Sequence, residues 1–459
     1  MTKYTQYLCG NENLKKKLIR NAKLINEGQT LERDVLVVGR RIDKIAPSIS
    51  MTGNTLLIDA KGKYLIPGMI DDQVHFREPG LTHKGNISTE SAAAAAGGIT
   101  SFMDMPNVEP QTTTRKALLE KFKMAQDRCT VNYSFYLGAT NDNIEEIKAL
   151  KVNDACGIKA FLGASTGNML INNLKSLDLL FEHAPIIVVT HCEDSPLIEA
   201  NERKAKKNYG ENVPFFEHSN IRSAESCYKS SSFATTLASR YDALLHVLHL
   251  TSAMEMDLFS AAHRSNKRIT AEVCVHHLWF DDSRYSDLGG RIKCNPSIKT
   301  AQDRNALIAA LKDGRLDIIA TDHAPHTKME KMESYFKVPS GMPLVQHALL
   351  VLFDLASREN FSHELIVDRT SHAVADIYGI IDRGYVREGY YADLVIIDDK
   401  KSYTVNSSNL LYKCGWSPFE DHTFTSNIDM TMVNGCIVYG NSQLTGKIAG
   451  EKLKFNRSR

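Results

Sequence analysis

Five residues that can bind a metal ion, or be converted to a metal ligand, stand at corresponding points of this sequence. Each lies in, at the end of, or just after an apolar, strand-like run: His75, Lys159, His191, His249 and Asp322. A single histidine is more often structural than a ligand, but the shared placement at strand ends reverses that expectation. Imidazole and carboxylate groups are common metal ligands in proteins. The sequence therefore predicts one metal site assembled from several strands.

The lysine in this set, Lys159 of the segment GIKAF, needs its own explanation. An ammonium group repels a divalent cation, so an unmodified lysine is expected in a buried ion pair or a phosphate contact. A deprotonated amine that captures carbon dioxide instead becomes an N6-carboxylated lysine, an anionic oxygen ligand that bridges two metal ions. The residues alone leave both interpretations open.

Eight apolar runs, alternating with helix-like segments, would position these side chains. They are Met69–Phe76, Ile99–Asp104, Val131–Leu137, Ala155–Phe161, Ile186–His191, Leu244–His249, Arg268–Cys274 and Leu316–Thr321. One helix, Thr89–Ala96, is predicted to begin on cap-forming residues and to end at Gly97-Gly98. The alternation is typical of βα units with a parallel sheet, and polar residues at the strand ends of a barrel converge. We predict an α/β fold built on a TIM (β/α)8 barrel.

Both ends of the chain have a different sequence pattern. Short segments in which apolar and polar residues alternate are separated by turn residues. The segments are Val35–Val38, Leu56–Ile58, Ala392–Ile397 and Asp429–Tyr439, the last with Asn434-Gly435 as a two-residue hairpin turn. They predict a small β-sandwich domain made from both ends. The expected divisions are 1–66 and 377–459 for this domain, and 67–376 for the barrel.

The composition of the chain limits the classes of partner that we expect it to bind. Lys and Arg number 55 against 54 Asp and Glu, a net charge of +1, so no strong field attracts nucleic acid or a membrane surface. Residues 1–17 lack the apolar core of a signal peptide, and no apolar run approaches the ~18 residues that span a bilayer. The nine cysteines include no CxxC pair. We expect a cytoplasmic protein with free thiols and a small-molecule substrate.

Two segments carry a family resemblance: Pro67–Gly80 (PGMIDDQVHFREPG) and Ala320–Lys331 (ATDHAPHTKMEK). Together with GIKAFLGAS, THCED and TAEVCVHHL in the same order, they make the chain similar to the amidohydrolase superfamily and, within it, the dihydroorotase group. The resemblance covers nearly the whole chain. It implies reversible, metal-assisted hydrolysis of the cyclic amide of dihydroorotate to N-carbamoyl-aspartate in pyrimidine biosynthesis. Dimers are common in the family, so a homodimer is one implied assembly.

The resemblance also assigns residue roles. His75, Lys159 as its carbamate, His191, His249 and Asp322 would be the metal ligands, with one or two zinc ions per chain. Asp322 would move the proton between the attacking water and the ring nitrogen. Arg77, Asn107 and His326 would bind the substrate carboxylate, and Asn295 the ring. Asn295 is explained almost as well as a turn-forming residue before proline.

One position departs from the family pattern. Most members have His-x-His after the first strand, whereas this chain has Gln73-Val74-His75. An amide oxygen is a weaker zinc ligand than imidazole, so occupancy of one metal position is expected to fall. Three interpretations stay open: an active dihydroorotase, a related cyclic amidase (hydantoinase, dihydropyrimidinase or allantoinase), and a catalytically impaired scaffolding subunit. Arg77, Asn107 and His326 favour the first, because the other substrates lack the same carboxylate.

Some further residues have no assigned role. His276 and His277 follow the seventh run, and the sequence does not decide between a structural and a functional histidine. The segments Leu162–Leu170 and Thr327–Gly341 are polar or flexible in composition, as loops that can close over substrate are, and the sequence leaves their movement open.

Overall fold

The computed structural model of the chain describes residues 16–163 and 169–457. Its first strands are β1 (Lys16–Asn26), β2 (Gln29–Val38), β3 (Arg41–Ala46), β4 (Thr55–Asp59) and β5 (Tyr64–Pro67). β2 pairs with β1 and β3 in antiparallel fashion, and β4 and β5 run parallel to β1. The predicted strand segments near the N-terminus are confirmed within β2 and β4. Most of the stretch examined for a signal peptide, residues 1–15, lies outside the described residues.

The eight predicted apolar runs are confirmed as parallel strands. They are β6 (Met69–Val74), β7 (Ile99–Asp104), β8 (Asn132–Phe135), β9 (Leu137–Gly138), β10 (Ile158–Phe161), β11 (Val188–His191), β12 (Leu245–Val247), β13 (Ile269–Cys274) and β14 (Ile318–Ala320). The third run forms two strands, because the pairing is interrupted at Tyr136. Almost every residue of these strands is buried, as expected where helices cover a parallel sheet.

These strands form a three-stranded sheet, β6-β7-β8, and a six-stranded sheet that runs from β9 to β14 in chain order. Two contacts join the sheets. The Tyr136 amide donates to the Asp104 carbonyl at 3.1 Å, and the next amide, that of Leu137, donates to Gly157 at 3.1 Å. At the other side, the His75 amide donates to the His323 carbonyl at 2.7 Å, next to a parallel bridge between Val74 and His323. The C-terminal ends of β6 and β14 are therefore neighbours.

Helices follow most of the parallel strands. The α-helices are α1 (Ile87–Ala96), α2 (Arg115–Ala125), α3 (Ile144–Lys148), α4 (Leu174–His183), α5 (Ser195–Tyr209), α6 (His218–Ile221), α7 (Ala224–Arg240), α8 (Val275–Trp279), α9 (Tyr285–Leu288), α10 (Ala301–Asp313), α11 (Ala348–Glu359), α12 (His363–Val367) and α13 (Ala373–Tyr378). The predicted helix Thr89–Ala96 begins two residues earlier, at Ile87. The reason is a capping box: the Asn86 side chain accepts from the Thr89 amide at 2.9 Å, and the Thr89 hydroxyl accepts from the Asn86 amide.

The last strands are β15 (Leu394–Asp398), β16 (Tyr403–Thr404), β17 (Thr423–Phe424), β18 (Asn427–Val433), β19 (Cys436–Gly440) and β20 (Gln443–Leu444). One sheet has the order β20-β19-β18-β15-β5-β1-β2-β3, with β4 beside β1, so it combines strands from both ends of the chain. The predicted Asn434-Gly435 turn is confirmed. Both residues have positive φ, 50° and 72°, the conformation of a type I′ hairpin turn.

The remaining expectations about the chain as a whole concern cysteines and membranes. Eight cysteines fall in the described residues and all are free thiols, six of them buried. Within the same residues, no helix is long and apolar enough to cross a membrane.

Candidate active site

A cavity of about 190 Å³ opens at the C-terminal ends of the parallel strands. All ten residues to which the sequence resemblance assigns a role line it: Gln73, His75, Arg77, Asn107, Lys159, His191, His249, Asn295, Asp322 and His326. They are far apart in the sequence and meet because each follows, ends or lies within a strand of the parallel sheets. Pro339, Ser340 and Gly341 complete one wall, so the end of the segment Thr327–Gly341 borders the cavity. Part of the other predicted loop, residues 164–168, lies outside the described residues.

Three of the lining residues have a strained backbone. Arg77, His249 and Asp322 have φ values of 68°, 38° and 50°, in the left-handed region that side chains other than glycine rarely adopt. Such conformations cost on the order of 1–3 kcal/mol each and persist only where neighbouring contacts enforce them. For His249, the enforcing contact is its amide, which donates to Glu272 Oε1 at 3.0 Å. The fold thus keeps costly conformations at this cavity.

One group of polar side chains surrounds Asp322. Its Oδ1 accepts from the Gln73 amide nitrogen at 3.1 Å and lies 3.1 Å from His75 Nε2. On its other side, His75 Nδ1 lies 2.8 Å from Asn107 Oδ1. A neutral imidazole has a single N–H and cannot donate to both oxygens. One of the two contacts therefore needs another donor, which is either the amide nitrogen of a turned-over Asn107 side chain at Nδ1 or a metal ion between His75 Nε2 and Asp322.

The surroundings of Asp322 favour the ionised form of its carboxyl group. Burial favours its neutral form, but the hydrogen bond with His75 and the charge of that ring keep the pKa of Asp322 below its ordinary value. An anionic oxygen is a ligand for zinc and also a proton acceptor.

A second pair of imidazoles lies across the cavity. His191 Nδ1 lies 2.9 Å from His249 Nε2, and His249 Nδ1 is buried without a hydrogen-bond partner. His191 Nε2 lies 2.8 Å from Glu193 Oε2, so the N–H is assigned to Nε2 and the lone pair of Nδ1 faces His249 Nε2. Burial lowers the pKa of both histidines and keeps them neutral, the form that binds metals.

Glu193 is a functional candidate that the sequence reasoning missed. It is fully buried and also contacts Arg222. Burial opposes its ionisation, but Arg222 and the hydrogen bond from His191 lower the pKa of Glu193 to about 2. A carboxylate that fixes the tautomer of a metal-binding histidine is a recurrent outer ligand. The segment THCED carried the signal, a glutamate two residues after His191.

We expect Glu193→Gln to lower zinc affinity by roughly 10- to 100-fold, because the amide no longer holds His191 with its lone pair toward the cavity. Competition titration with a chromophoric chelator measures the change. Glu199→Gln, on the exposed side of α5, is the matched control. Equal zinc affinity in the two variants would remove Glu193 from this role.

Lys159 is buried, with 1% of its surface exposed, and its amine lies over the Phe161 ring at 4.6 Å. Within residues 16–163 and 169–457, the amine forms no ion pair and no hydrogen bond. Burial lowers the pKa of Lys159 to about 8, against the attraction of Asp322 and Glu272. The expectation of a buried ion pair is therefore not met among the described residues. A neutral amine at this place has the form that reacts with carbon dioxide.

The opposite wall of the cavity carries positive charge. Arg77 is 6% exposed, its Nε donates to the Pro325 carbonyl at 3.0 Å, and its Nη2 lies 3.0 Å from His326 Nε2. His326 Nε2 also lies 3.0 Å from the Ser340 carbonyl, and His326 Nδ1 lies 3.1 Å from Lys84 Nζ. A neutral ring that accepts from Lys84 and donates to Ser340 offers no acceptor to Arg77.

The guanidinium of Arg77 therefore lacks a counter-ion. No carboxylate among the described residues forms an ion pair with it, and burial lowers the pKa of Arg77 to about 10. A buried guanidinium without a carboxylate partner is suited to bind one from a ligand, through two parallel hydrogen bonds. Lys84, which the sequence reasoning did not single out, lies beside His326, but its charge is balanced by an ion pair with Glu330 at 2.9 Å.

Comparison with known proteins identifies the family of this chain. The profile of the amidohydrolase family matches residues 64–438. The dihydroorotase of Halobacterium salinarum is 32% identical over 426 residues, which cover 92% of this chain and 96% of that protein. The dihydroorotase of Methanosarcina acetivorans is 31% identical over 446 residues, covering 94% and 93%. Among solved structures, the L-hydantoinase (dihydropyrimidinase) of Arthrobacter aurescens superposes with a TM-score of 0.89 at 25% identity, covering 95% and 99%.

Proposed function

Because this chain belongs to the amidohydrolase family and matches dihydroorotases over more than nine-tenths of its length, we propose that it is a dihydroorotase. It hydrolyses the cyclic amide of dihydroorotate to N-carbamoyl-aspartate and catalyses the reverse ring closure, as a cytoplasmic step of pyrimidine biosynthesis. The observation that carries this proposal is the buried, unpaired guanidinium of Arg77 on the wall that faces the histidine and aspartate set. It supplies what a carboxylate-bearing substrate needs next to a hydrolytic centre.

The proposal includes the architecture. The parallel strands β6 to β14 would form one closed (β/α)8 barrel of residues 67–376, and residues 1–66 and 377–459 would form the β-sandwich domain. The Val74–His323 bridge and the continuous segment Asn132–Gly138 support closure. The proposed partners are the small carboxylate-bearing substrate and a second copy of the chain in a homodimer, with no role for nucleic acid or a membrane.

The residues present fit a metal centre. Neutral imidazoles at His191 and His249, an anionic Asp322 and His75 Nε2, which lies 3.1 Å from Asp322 Oδ1, make a donor set that zinc prefers. Lys159 would join it as the N6-carboxylated lysine. We propose one or two zinc ions, with Gln73 as the weak member of the set. Bound zinc would polarise the scissile carbonyl and lower the pKa of the attacking water.

The chain's own residues perform the proton transfers. In hydrolysis, Asp322 accepts the proton of the attacking water on a carboxylate oxygen, and the new C–O bond forms. Asp322 then gives this proton to the ring nitrogen as the C–N bond breaks, and ring closure reverses the two steps. Asn107 contacts His75 Nδ1, and Arg77 binds the substrate carboxylate beside His326, which exchanges its Ser340 contact for one to that carboxylate. Asn295, whose Oδ1 accepts from the Ser340 hydroxyl at 3.0 Å, is placed to orient the ring.

A related cyclic amidase is the second candidate, favoured by the hydantoinase named above, whose fold this chain shares. Hydantoin, dihydrouracil and allantoin lack the carboxylate that Arg77 is proposed to bind. Incubating the zinc-loaded protein with each compound separates the two functions: faster opening of any of the three than of dihydroorotate would support the amidase. Absence of bound metal together with absence of all turnover would support the impaired scaffolding subunit.

For Arg77→Ala, we expect kcat/KM for dihydroorotate to fall roughly ten- to a hundred-fold, mainly through a higher KM, because charge-assisted hydrogen bonds to the carboxylate are lost. Arg77→Lys keeps the charge but not the planar pair of donors, so it should recover only part of the loss. Steady-state kinetics on both variants measure this. Parent kinetics in Arg77→Ala would exclude the guanidinium from substrate binding.

A further inference from the structure

A cluster of three ligand-type side chains lies behind Gln73, outside the lining of the cavity. Cys274 ends β13, and His276 and His277 lie in α8, which follows directly. All three are buried, with 0%, 1% and 3% of their surfaces exposed. One ligand atom from each lies within 4.8 Å of the other two. We call this group the thiol–imidazole cluster.

The cluster is poorly satisfied by the protein around it. Both ring nitrogens of His276 and Nδ1 of His277 are buried without a hydrogen-bond partner. The Thr321 backbone comes near the His276 ring but lacks hydrogen-bond geometry. Each buried polar group left unpaired costs about 1–3 kcal/mol, and three in one place are unusual in a native protein. A bound ion or water is one of the established reasons for such groups.

The surroundings suit a cation. Cys274 Sγ lies 3.8 Å from Gln73 Oε1 and 3.5 Å from Glu272 Oε1. Asp322 is close enough to His276 to affect its pKa, although burial is the larger influence and lowers that pKa to about 4. Neutral imidazoles are ready to bind a metal. The cluster therefore supplies a thiol and two imidazoles, and Asp322 supplies negative charge nearby, whereas burial and Asp72 raise the pKa of Glu272 to about 7.

Another buried group, Asp72, His246 and Glu272, also brings three ligand atoms together and also contains buried atoms without a hydrogen-bond partner, but its charges balance without a metal. His246 Nε2 lies 3.4 Å from Asp72 Oδ2 and 3.6 Å from Glu272 Oε2. Burial opposes protonation, but these two carboxylates raise the pKa of His246 to about 9. This group thus contains its own cation, a protonated imidazole. The thiol–imidazole cluster contains none.

We propose that Cys274, His276 and His277 bind one divalent metal ion of the zinc class, with the Gln73 amide oxygen beside it. Tetrahedral zinc, with bonds of ~2.3 Å to sulfur and ~2.0–2.1 Å to nitrogen, places neighbouring ligand atoms about 3.3–3.6 Å apart. The ligand atoms, which lie within 4.8 Å of one another, have to approach by up to about 1.5 Å to reach that spacing. On binding, the Cys274 thiol becomes a thiolate and releases its proton to solvent. The inference goes beyond the proposed function, because none of the three residues lines the catalytic cavity.

The test is cobalt substitution of the full-length protein. Metal-free protein is titrated with CoCl₂ while the absorption spectrum and the bound metal are recorded. We expect an intense near-ultraviolet sulfur-to-cobalt charge-transfer band, which imidazole and carboxylate ligands do not produce. The inference is overturned if the parent protein binds cobalt without producing this band, or if it binds no cobalt. Either outcome is observed on the parent protein and requires no variant.

Two matched variants test which cysteine produces the charge-transfer band. Cys274→Ser should abolish it and lower the stoichiometry by about one ion, as expected for a single site. Cys192→Ser, which removes another buried thiol beside a proposed catalytic ligand, should retain both. A band that survives in Cys274→Ser would place the thiolate elsewhere and overturn the inference. Ring opening of dihydroorotate is scored separately, so loss of the band and failure of the proposed function are distinguishable.

Discussion

Asp322→Asn is expected to lower kcat by about 10²–10⁴-fold, the typical contribution of a positioned acid–base group. The amide cannot accept the water proton or pass it to the ring nitrogen. Its oxygen still lies where Gln73 and His75 contact the parent side chain, so the variant should keep at least part of its metal. Steady-state kinetics and metal analysis on the same preparation measure both effects.

The control for this substitution is Asp257→Asn, at an almost fully exposed carboxylate. It should leave kcat and metal content unchanged. Parent-like kcat in Asp322→Asn would remove Asp322 from proton transfer. Complete loss of metal in that variant would instead make Asp322 chiefly a ligand, and the kinetic loss could then not be assigned to proton transfer.

Lys159→Met is expected to abolish turnover and yet to stabilise the metal-free protein at neutral pH. The pKa of Lys159 falls from 10.5 to about 8 because the side chain is buried, which corresponds to about 3 kcal/mol of destabilisation when the amine is protonated. Methionine has similar length and no charge to bury. Activity is lost because no carbamate can form. Chemical denaturation and ring-opening assays measure the two opposite effects.

The pH dependence of protein stability tests whether the buried, protonated amine of Lys159 causes the destabilisation. The unfolded chain keeps its lysine proton up to about pH 10.5, while the folded protein loses it near pH 8, so the unfolded state binds more protons between these values. Stability of the metal-free parent should therefore rise in this window relative to Lys159→Met.

A second buried lysine provides the matched control. Lys121 forms an ion pair with Asp104 at 2.7 Å, so Lys121→Met leaves a buried carboxylate unpaired and should destabilise the protein by about 3–5 kcal/mol. Destabilisation by Lys159→Met of similar size would show that Lys159 also has a counter-ion.

The sequence predicted the elements that position the site, because fully buried parallel strands leave a strong apolar pattern. Every predicted run of the parallel sheets is a strand, and the residues at their ends meet in one cavity. The error at the start of α1 came from local competition: Thr89 and Asn86 are both good caps, and only the reciprocal hydrogen bonds show that Asn86 has that role.

The contacts around the site were harder to predict, because they depend on distances that no periodicity encodes. Glu193 follows His191 by two residues, but its role depends on burial and on Arg222 from another segment. Lys84 reaches His326 across the cavity mouth. The unpaired state of Arg77, on which the substrate assignment depends, is a property of what surrounds it and not of its sequence position.

The central claim is metal-assisted opening of a cyclic amide that carries a carboxylate. The most direct test is kcat/KM of the zinc-loaded protein for dihydroorotate compared with dihydrouracil, the same ring without the carboxylate. We predict ring opening of dihydroorotate, with dihydrouracil poorer by at least about 10²-fold, because Arg77 would then stay buried and unpaired. Failure to open dihydroorotate, or equal kcat/KM for the two compounds, would contradict the claim.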